Sequence, residues 1–210
     1  MFSKKSFLLV FLLFTFKIFS QNDSVRENRK YVAYYSPSDA TEVNGLMFNF
    51  WLKDLDDIGV KYPRINGIEV DLNLANLIVT PMAIVHTLLD STSRSPLTNR
   101  IDTINYCNFK QINGLHVGLG NMENSVNNGL GINLGASCLN KTNGVILSVV
   151  NKNYEINGLS IGLIFNGVVN CNGIQIGLIN NCKKLKGFQF GLWNKNQKRS
   201  LPFINWSFGN

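Results

Sequence analysis

Few side chains in this chain of 210 residues could carry out acid–base or nucleophilic chemistry, and His86 is the first to consider. It lies in the apolar stretch 84–89, close to Asp90 and Ser91, so a Ser-His-Asp triad can be drawn from these three residues. Near neighbours in sequence rarely reach the geometry that a triad needs. We therefore interpret His86 as a packed, hydrogen-bonded residue and not as a catalytic base.

The second histidine, His116, lies in a segment of the chain that is repeated several times. Other copies of the segment carry Ser160, Gln175 and Gln189 at the same position. Because these polar side chains alternate with apolar ones, we expect the position to face outward. The pattern predicts an exposed histidine with no catalytic role.

One cluster of acidic residues has the composition of a Ca²⁺ site. Asp54, Asp56 and Asp57 could bind the ion if Glu69 or Asp71 folded back onto them, because Ca²⁺ takes oxygen ligands. A charged loop in solvent explains the same residues more simply. We favour the loop and predict no metal site.

The repeated part of the chain is poor in the groups that hydrolases and nucleotide-binding proteins use. Beyond residue 112 the acidic residues are Glu123 and Glu155, each between two repeats, so two converging carboxylates are not expected. The glycines alternate with strand residues and do not open a helix, which is what a phosphate-binding loop would need. We predict no catalytic residues and no cofactor.

The four cysteines show neither a Cys-x-x-Cys pair nor the spacing of a zinc site, and they are Cys107, Cys138, Cys171 and Cys182. Cys138 and Cys182 hold the same position three repeats apart, which corresponds to roughly 14 Å between stacked strands. A disulfide needs Cα atoms within about 7 Å. We expect small buried side chains at these positions.

The first 20 residues have the features of a secretory signal peptide. Lys4 and Lys5 precede an apolar run over residues 7–16, and the chain turns polar after Ser20. A retained anchor is the alternative, but Lys17 shortens the apolar run. No cysteine lies near the cleavage site to carry a lipid. The sequence therefore predicts an exported protein.

Charge gives little support to nucleic-acid binding. Without Lys4, Lys5 and Lys17 the excess of basic over acidic residues falls from +7 to +4. The remaining basic residues are scattered apart from a group near the C-terminus, whereas nucleic-acid binding needs a continuous basic surface. We exclude nucleic acid as a partner.

The elements that position all these residues are repeats of 14 or 15 residues. Each contains an Asn-Gly step, or Lys-Gly in the last copy, and the glycines are Gly114, Gly129, Gly144, Gly158, Gly173 and Gly187. Two outlying copies contain Gly45 and Gly67. A fixed short period is typical of a repeat architecture.

Within each repeat the residues alternate between apolar and polar. Counted from the glycine, positions +1, +3 and +5 are apolar in all eight copies, which indicates a β-strand and not a helix. We predict that these three positions form the core. Positions +2 and +4, which present Gly, Ser, Asn and Gln with apolar Ile146 as an exception, are predicted to form the outer face, and the glycines at +4 indicate a bend or close approach of another backbone.

Two all-β architectures fit this alternation. In a β-solenoid each repeat is one coil, equivalent strands stack in parallel, and the asparagines stack at the corners. In an antiparallel meander or small barrel each repeat is a hairpin, because Asn-Gly is also a strong hairpin signal. The second step Asn166-Gly167 favours hairpins, whereas the constant period favours the solenoid, which we predict.

Three segments follow from this organisation. Residues 1–20 are the signal peptide, and residues 21–111 form an N-terminal β segment with the two outlying repeats and an irregular insertion. Within that insertion, residues 76–90 could be a strand pair or a short helix starting at Pro81. Residues 112–210 form the tandem repeats. The aromatic residues that could cap the last coil, or dock a membrane partner, are Trp193, Phe203, Trp206 and Phe208.

The sequence of residues 157–194 resembles a family of exported Gram-negative surface-repeat proteins, whose tandem units have the form Asn-Gly-Leu-Gln-Ile-Gly-Leu-Ile-Asn. The similarity extends over residues 112–208, and residues 201–206 look like the usual ending of the family. Asn133 and Ser148 replace the usual glycine and Phe165 replaces the terminal asparagine, so individual coils are expected to be irregular.

The resemblance implies a location at the outer membrane or cell surface and no enzymatic activity. It supplies no catalytic or binding residues. We expect a structural or adhesive surface module, with a cell-envelope glycan or protein as partner. An outer-membrane β-barrel, or a barrel-associated protein, is the alternative, and a hydrolase with its site in residues 53–105 is a third hypothesis.

Overall fold

The computed structural model describes residues 29–36, 40–50, 64–74, 76–78, 80–82, 85, 110–121 and 125–208, and most of these residues are in β-strands. The strands are β1 (Arg29–Ser36), β2 (Glu42–Asn49), β3 (Arg64–Asp71), β4 (Lys110–Gly118), β5 (Ser125–Asn133), β6 (Ala136–Ser137), β7 (Lys141–Lys195) and β8 (Ser200–Ser207). All eight belong to one sheet. The all-β prediction is confirmed.

Neighbouring strands from β1 to β5 pair in parallel, and β5 pairs in parallel with the start of β7. The register places each repeat glycine beside the glycine of the next repeat, for example Gly67 beside Gly114 and Gly129 beside Gly144. Like residues therefore stack on like residues, as the solenoid prediction requires.

The 55-residue strand β7 contains the last four repeats and winds through them without a break. Its coils stack directly on one another. The backbones come so close that a Cβ atom added to Gly173 would overlap the carbonyl oxygen of Gly158, and one added to Gly187 would overlap that of Gly173. The alternative of an antiparallel meander or closed barrel is wrong. Within the described strands only β7 and β8 pair antiparallel, and the sheet does not close on itself.

The Asn-Gly steps lie inside strands and are not hairpin turns. All eight repeat glycines have positive φ angles, between 130° and 144°. At Gly173, with φ of 143°, the backbone takes a conformation that favours glycine while the strand continues through it. Gly167, by contrast, has no positive φ and lies within β7, so Asn166-Gly167 does not form the hairpin turn considered above.

The asparagine before each repeat glycine forms a continuous ladder along one corner of the solenoid. The Nδ2 atom of each asparagine donates to the Oδ1 atom of the asparagine in the preceding coil, over distances of 2.7–2.9 Å. The seven members are Asn44, Asn66, Asn113, Asn128, Asn143, Asn157 and Asn172. The predicted stacking of the asparagines is therefore present, and it includes both outlying repeats.

The long gap between the second and third repeats is an excursion and not a set of missing coils, since β3 pairs directly with β4. Residues 76–78, 80–82 and 85 are helical, so the helical alternative is correct, although the helix begins before Pro81. Asn76 Nδ2 donates to the carbonyl oxygen of Gly120 at 3.0 Å, and Thr80 Oγ1 accepts from the amide of Ala136 at 3.1 Å. These bonds hold the helical residues against the neighbouring coils.

The predicted inside and outside of the coil are the wrong way round. Position +2 is buried in all eight copies, and position −2 is buried in all eight as well. None of the 24 apolar side chains at +1, +3 and +5 is buried: twelve are exposed and twelve are half-buried. The apolar rows predicted to be the core therefore line the outer surface.

Position −2 supplies much of the apolar core. Val43, Ile65 and Ile112 belong to one buried cluster near the N-terminal end. Ile156, Cys171 and Leu185 belong to a second cluster, with Leu139, Ile146, Val168 and Cys182. The two clusters stand at opposite ends of the stack, and at the coils between them position −2 is polar, with Asn127 and Thr142 buried there.

Strand β8 covers the last coil. It pairs antiparallel with the end of β7, with Phe188 opposite Trp206 and Phe190 opposite Ile204. Its inward side chains are Asn205 and Ser207, both buried. The predicted cap is therefore present, but the backbone and two polar side chains form it, and the aromatic residues remain outside.

Candidate functional site

His116 is buried and not exposed, because position +2 points into the coil. Its Nδ1 atom lies 2.8 Å from Glu69 Oε2, and its Nε2 atom lies 3.0 Å from Asn133 Oδ1. Lys110 Nζ forms an ion pair with the other carboxylate oxygen of Glu69 at 2.5 Å. Three successive coils thus contribute the members of one buried cluster, which we call the ionic cluster: Glu69, Lys110, His116 and Asn133.

The electrostatics of the ionic cluster favour the charged forms. Burial by itself would raise the pKa of Glu69, but Lys110 and His116 outweigh burial and hold that pKa at about 2. Burial would lower the pKa of His116, but the hydrogen bond and the charge of Glu69 outweigh it and raise the pKa above 6.5. Both imidazole nitrogens face oxygen acceptors, which fits a protonated ring that donates from each side.

The ionic cluster has the residue types of a catalytic site but no access for a substrate. The side chains of Glu69, Lys110 and His116 are 0%, 5% and 1% exposed. Removing one member of a buried ion pair costs about 3–5 kcal/mol, because the partner charge is left uncompensated. We therefore interpret the ionic cluster as an internal brace between coils.

The rest of the polar interior consists mainly of amide side chains bonded to backbone and to one another. Gln189 Nε2 donates to Gln175 Oε1 at 2.8 Å, and Asn205 Nδ2 donates to Gln189 Oε1 at 3.2 Å. Asn180 Nδ2 donates to Asn194 Oδ1 at 2.7 Å and to the carbonyl oxygen of Phe190 at 2.8 Å. These amides satisfy carbonyl groups at the bends of the coil.

The remaining candidate residues are placed as follows. His86, Asp90, Ser91, Cys107, Glu123, residues 54–57 and the predicted signal peptide lie outside the described residues. Asp71 is buried and accepts from the amide of Asn73 at 2.9 Å. Glu155 forms an ion pair with Lys141 at 2.7 Å. The described residues contain no group of three or more His, Cys, Asp or Glu placed to hold a metal.

The three cysteines within the described ranges are free thiols. Cys171 and Cys182 are buried in the same apolar cluster, as expected for small buried side chains. The hydrogen bond to Cys171 together with burial raises the pKa of Cys182, and burial raises the pKa of Cys138 to about 11. A thiol must ionise to act as a nucleophile, so these two thiols are poor ones.

The feature that is exposed and extensive is the outer surface formed by positions +1, +3 and +5, which we call the apolar face. Its rows stack from coil to coil because the strands are in register. Ile174, Ile176 and Leu178 of one coil are 38%, 39% and 49% exposed. Single exposed apolar residues are common on protein surfaces, whereas a continuous apolar patch is typical of an interaction surface.

The apolar face continues onto β8 and ends in aromatic residues. Ile204 and Trp206 extend the rows of Phe190 and Phe188, which they oppose across the β7–β8 pair. Phe208 packs edge-on against Phe188 with ring centroids 5.0 Å apart. The guanidinium of Arg199 lies 4.2 Å from the ring centroid of Trp206. A cation therefore stands at the rim of the apolar face.

The sequence contained a signal for the true inside of the coil. Positions −2, +2 and +4 lie on the same side of an extended strand. Position −2 is apolar in six of eight copies, for example Ile65, Ile112 and Ile156, so it competes with +1, +3 and +5 for the core. The residues after the glycine give one apolar side and one polar side of the strand. When position −2, before the glycine, is included, both sides carry apolar residues.

In the part of the chain that the structure describes, no helix is long and apolar enough to cross a bilayer. No protein-family model matches the chain, and neither a curated protein nor a solved structure is significantly similar to it. Its function is therefore inferred from its own side chains.

Proposed function

We propose that this chain is a non-enzymatic, exported module of the cell envelope that holds itself to other envelope components through the apolar face. The observation that carries the proposal is the inverted burial. Polar side chains such as Gln175, Gln189 and Asn205 are buried and hydrogen-bonded inside the coil, while the long apolar rows stand in contact with solvent. Exposing that many apolar side chains is unfavourable unless a partner covers them.

Two further observations support a structural role. The ionic cluster, which has the residue types closest to a catalytic site, is buried and its members are bonded to one another. The predicted signal peptide at residues 1–20, and the resemblance of residues 112–208 to exported surface-repeat proteins, both favour a location outside the cytoplasm.

The test is fractionation of cells that produce the full chain, combined with protease treatment of intact cells. We expect the wild-type protein in the envelope fraction. The variant Ile174→Ser/Ile176→Ser/Leu178→Ser removes the apolar face of one coil without touching a buried side chain, so it should fold and appear largely in the soluble fraction.

The matched control is Lys183→Ser/Lys184→Ser, which changes two exposed residues of the same coil outside the apolar face. It should behave like the wild type. Retention of the protein in the cytoplasm would contradict the proposal, and so would equal envelope binding by the control and by the triple variant.

A further inference from the structure

The apolar face has the size and shape of a docking surface for something flat. Eight repeat strands and β8, spaced by about 4.8 Å, give it a length of roughly 38 Å, and three alternating side chains span about 13 Å of each strand. That is roughly 500 Å², at the upper end of the largest patch on a typical monomer. None of its 24 repeat positions carries a charge or a hydrogen-bonding group.

The charges of the C-terminal coils and of β8 are strongly one-sided. Residues 141–208 contain eight Lys or Arg and a single acidic residue, Glu155, which is already paired with Lys141. Lys186 precedes Phe188 by two residues, so both side chains leave the same side of the strand. Lys195 is exposed and follows Leu192, the last apolar position, by three residues, and the guanidinium of Arg199 lies over the ring of Trp206. The partner should therefore be anionic.

A second copy of the chain does not meet this requirement. Among the described residues, the acidic side chains that are not buried are Glu42 and Glu155. Each is already in an ion pair, with Arg29 at 3.2 Å and with Lys141 at 2.7 Å. As far as the described surface goes, two copies packed face to face would add like charge to like charge, with both of these carboxylates already paired.

The aromatic residues at the same end fit a lipid surface. Trp193 and Trp206 are 51% and 43% exposed, and Phe203 and Phe208 are 69% and 66% exposed. Trp is enriched where membrane and water meet, because its ring is apolar and its N–H is polar. An apolar surface with a basic rim binds anionic lipid through both burial and charge.

We infer that the apolar face docks on the surface of an anionic lipid bilayer, with the basic and aromatic C-terminal coils as the anchor. This inference rests on the proposed function and deepens it by naming the partner. The backbone groups of the face are already bonded within the sheet, so contact with the acyl-chain boundary leaves them satisfied. The solenoid lies along the membrane and does not cross it.

The experiment is co-sedimentation of the purified full-length mature protein with vesicles of phosphatidylcholine alone or mixed with phosphatidylglycerol. We expect binding to the mixed vesicles, weaker binding at high salt, and little binding to phosphatidylcholine alone. The variant Lys186→Gln/Lys195→Gln should bind the mixed vesicles about tenfold or more weakly. The control Lys183→Gln/Lys184→Gln removes the same charge from the segment between the apolar positions of the Gly173 repeat and the next repeat glycine. It should bind nearly as well as the wild type.

A second variant tests the apolar contribution. Ile176→Ser/Phe190→Ser should abolish binding to mixed vesicles while its far-ultraviolet circular dichroism remains that of the wild type, since both side chains are exposed. The inference is overturned if the wild-type protein ignores anionic vesicles, if both lysine pairs have equal effects, or if sedimentation velocity shows that the face mediates a dimer.

The outcomes separate this inference from the proposed function. If vesicle binding fails but the envelope fraction still retains the protein through the apolar face, the lipid partner is wrong and the envelope module stands. If vesicles bind but cells do not retain the protein at the envelope, the proposed function is wrong.

Discussion

At the scale of single residues, the ionic cluster shows how a charged group is accommodated inside a narrow coil. Glu69 is fully buried, yet each of its oxygens faces a basic group, Lys110 on one side and His116 on the other. Asn133 Oδ1 accepts a hydrogen bond from the other N–H group of the imidazole. Because these residues come from three coils, the cluster ties the outlying repeat of Glu69 to the tandem repeats.

The ionic cluster predicts a stability optimum in mildly acidic solution. The pKa of Glu69 lies below its ordinary 4.5, so its contribution is complete above about pH 4.5 and is lost as the pH falls toward 2. The pKa of His116 is raised above 6.5, so its contribution is complete below about pH 6.5 and is lost as the pH rises through the raised value. The loss on the acid side, from a pKa of about 2 against an ordinary 4.5, should be on the order of 3 kcal/mol.

The measurement is the midpoint of urea unfolding at about pH 3, 5.5 and 9, for the wild type and for His116→Gln. Glutamine occupies the same position in the coils of Gln175 and Gln189, so the variant should fold. It should lose stability overall and keep the decline at acid pH, but its decline on the alkaline side should disappear. An unchanged alkaline decline would show that His116 is not the titrating group.

At the scale of the elements, two columns hold the coils in register. One is the asparagine ladder, in which each amide both donates and accepts. The other is the column of repeat glycines, which have positive φ and stand against the carbonyl oxygen of the preceding coil. A one-residue slip between coils would break both columns at once.

The glycine column predicts a large loss of stability for Gly173→Ala. The substitution forces a side chain into a φ of 143° and places its Cβ on the carbonyl oxygen of Gly158, a backbone atom that cannot move aside. We expect a loss of about 3 kcal/mol or more in the free energy of unfolding, measured by urea denaturation.

Gly167→Ala is the matched control for Gly173→Ala. Gly167 lies in the same strand but has no positive φ, and the nearest atoms to its new Cβ belong to the ring of Phe165, which can rotate. Its loss should be clearly smaller. Equal losses at the two positions would argue against strain and overlap as the cause.

At the scale of the whole molecule, a parallel solenoid has two open ends that can recruit further strands. The C-terminal end is covered by β8, whose antiparallel pairing runs from Gly187 opposite Ser207 to Lys195 opposite Ser200. Covering an edge in this way prevents the row of unpaired backbone groups from pairing with another chain. The cap therefore supports a discrete molecule and not a filament.

Deletion of residues 199–210, which removes β8, should produce concentration-dependent oligomers. The deletion exposes the backbone edge of the last coil and leaves its side chains free to stack on another copy. Sedimentation velocity over a range of concentrations measures the effect.

The shorter deletion of residues 208–210 is the control, because it keeps β8 whole while it removes the contact of Phe208 with Phe188. It should leave the oligomeric state unchanged. A monomeric β8-deletion variant would show that the edge is protected in some other way.

Much of the element-scale architecture could be predicted from the repeats. The alternation at 24 positions identified strands, and the constant spacing of the glycines, such as Gly158 and Gly173, favoured stacked coils over hairpins. Asn166-Gly167 was misleading as a hairpin signal, because a dipeptide does not show that the strand runs on through it. Pairing direction depends on the whole coil and not on two residues.

The candidate site was not predictable in the same way. His116 and the rows of Ile174 and Ile176 were placed on the wrong sides, because alternation defines two faces and does not say which one the coil encloses. Hydrophobicity favoured the apolar rows for the inside. The hydrogen bonds that stabilise the polar side chains inside the coil, such as that from Asn180 to the carbonyl oxygen of Phe190, join residues of different coils.

By itself, the sequence determined that the chain forms strands, that these repeat every 14 or 15 residues, and that asparagine and glycine stand at each corner. These properties depend on local conformation and on period, which a linear sequence contains. Only the tertiary structure decided which side of each strand is enclosed. Coil stacking decided it: a Cβ atom on Gly177 would overlap the carbonyl oxygen of Gly162 in the preceding coil, and enclosed side chains such as Gln189 and Gln175 are hydrogen-bonded between coils.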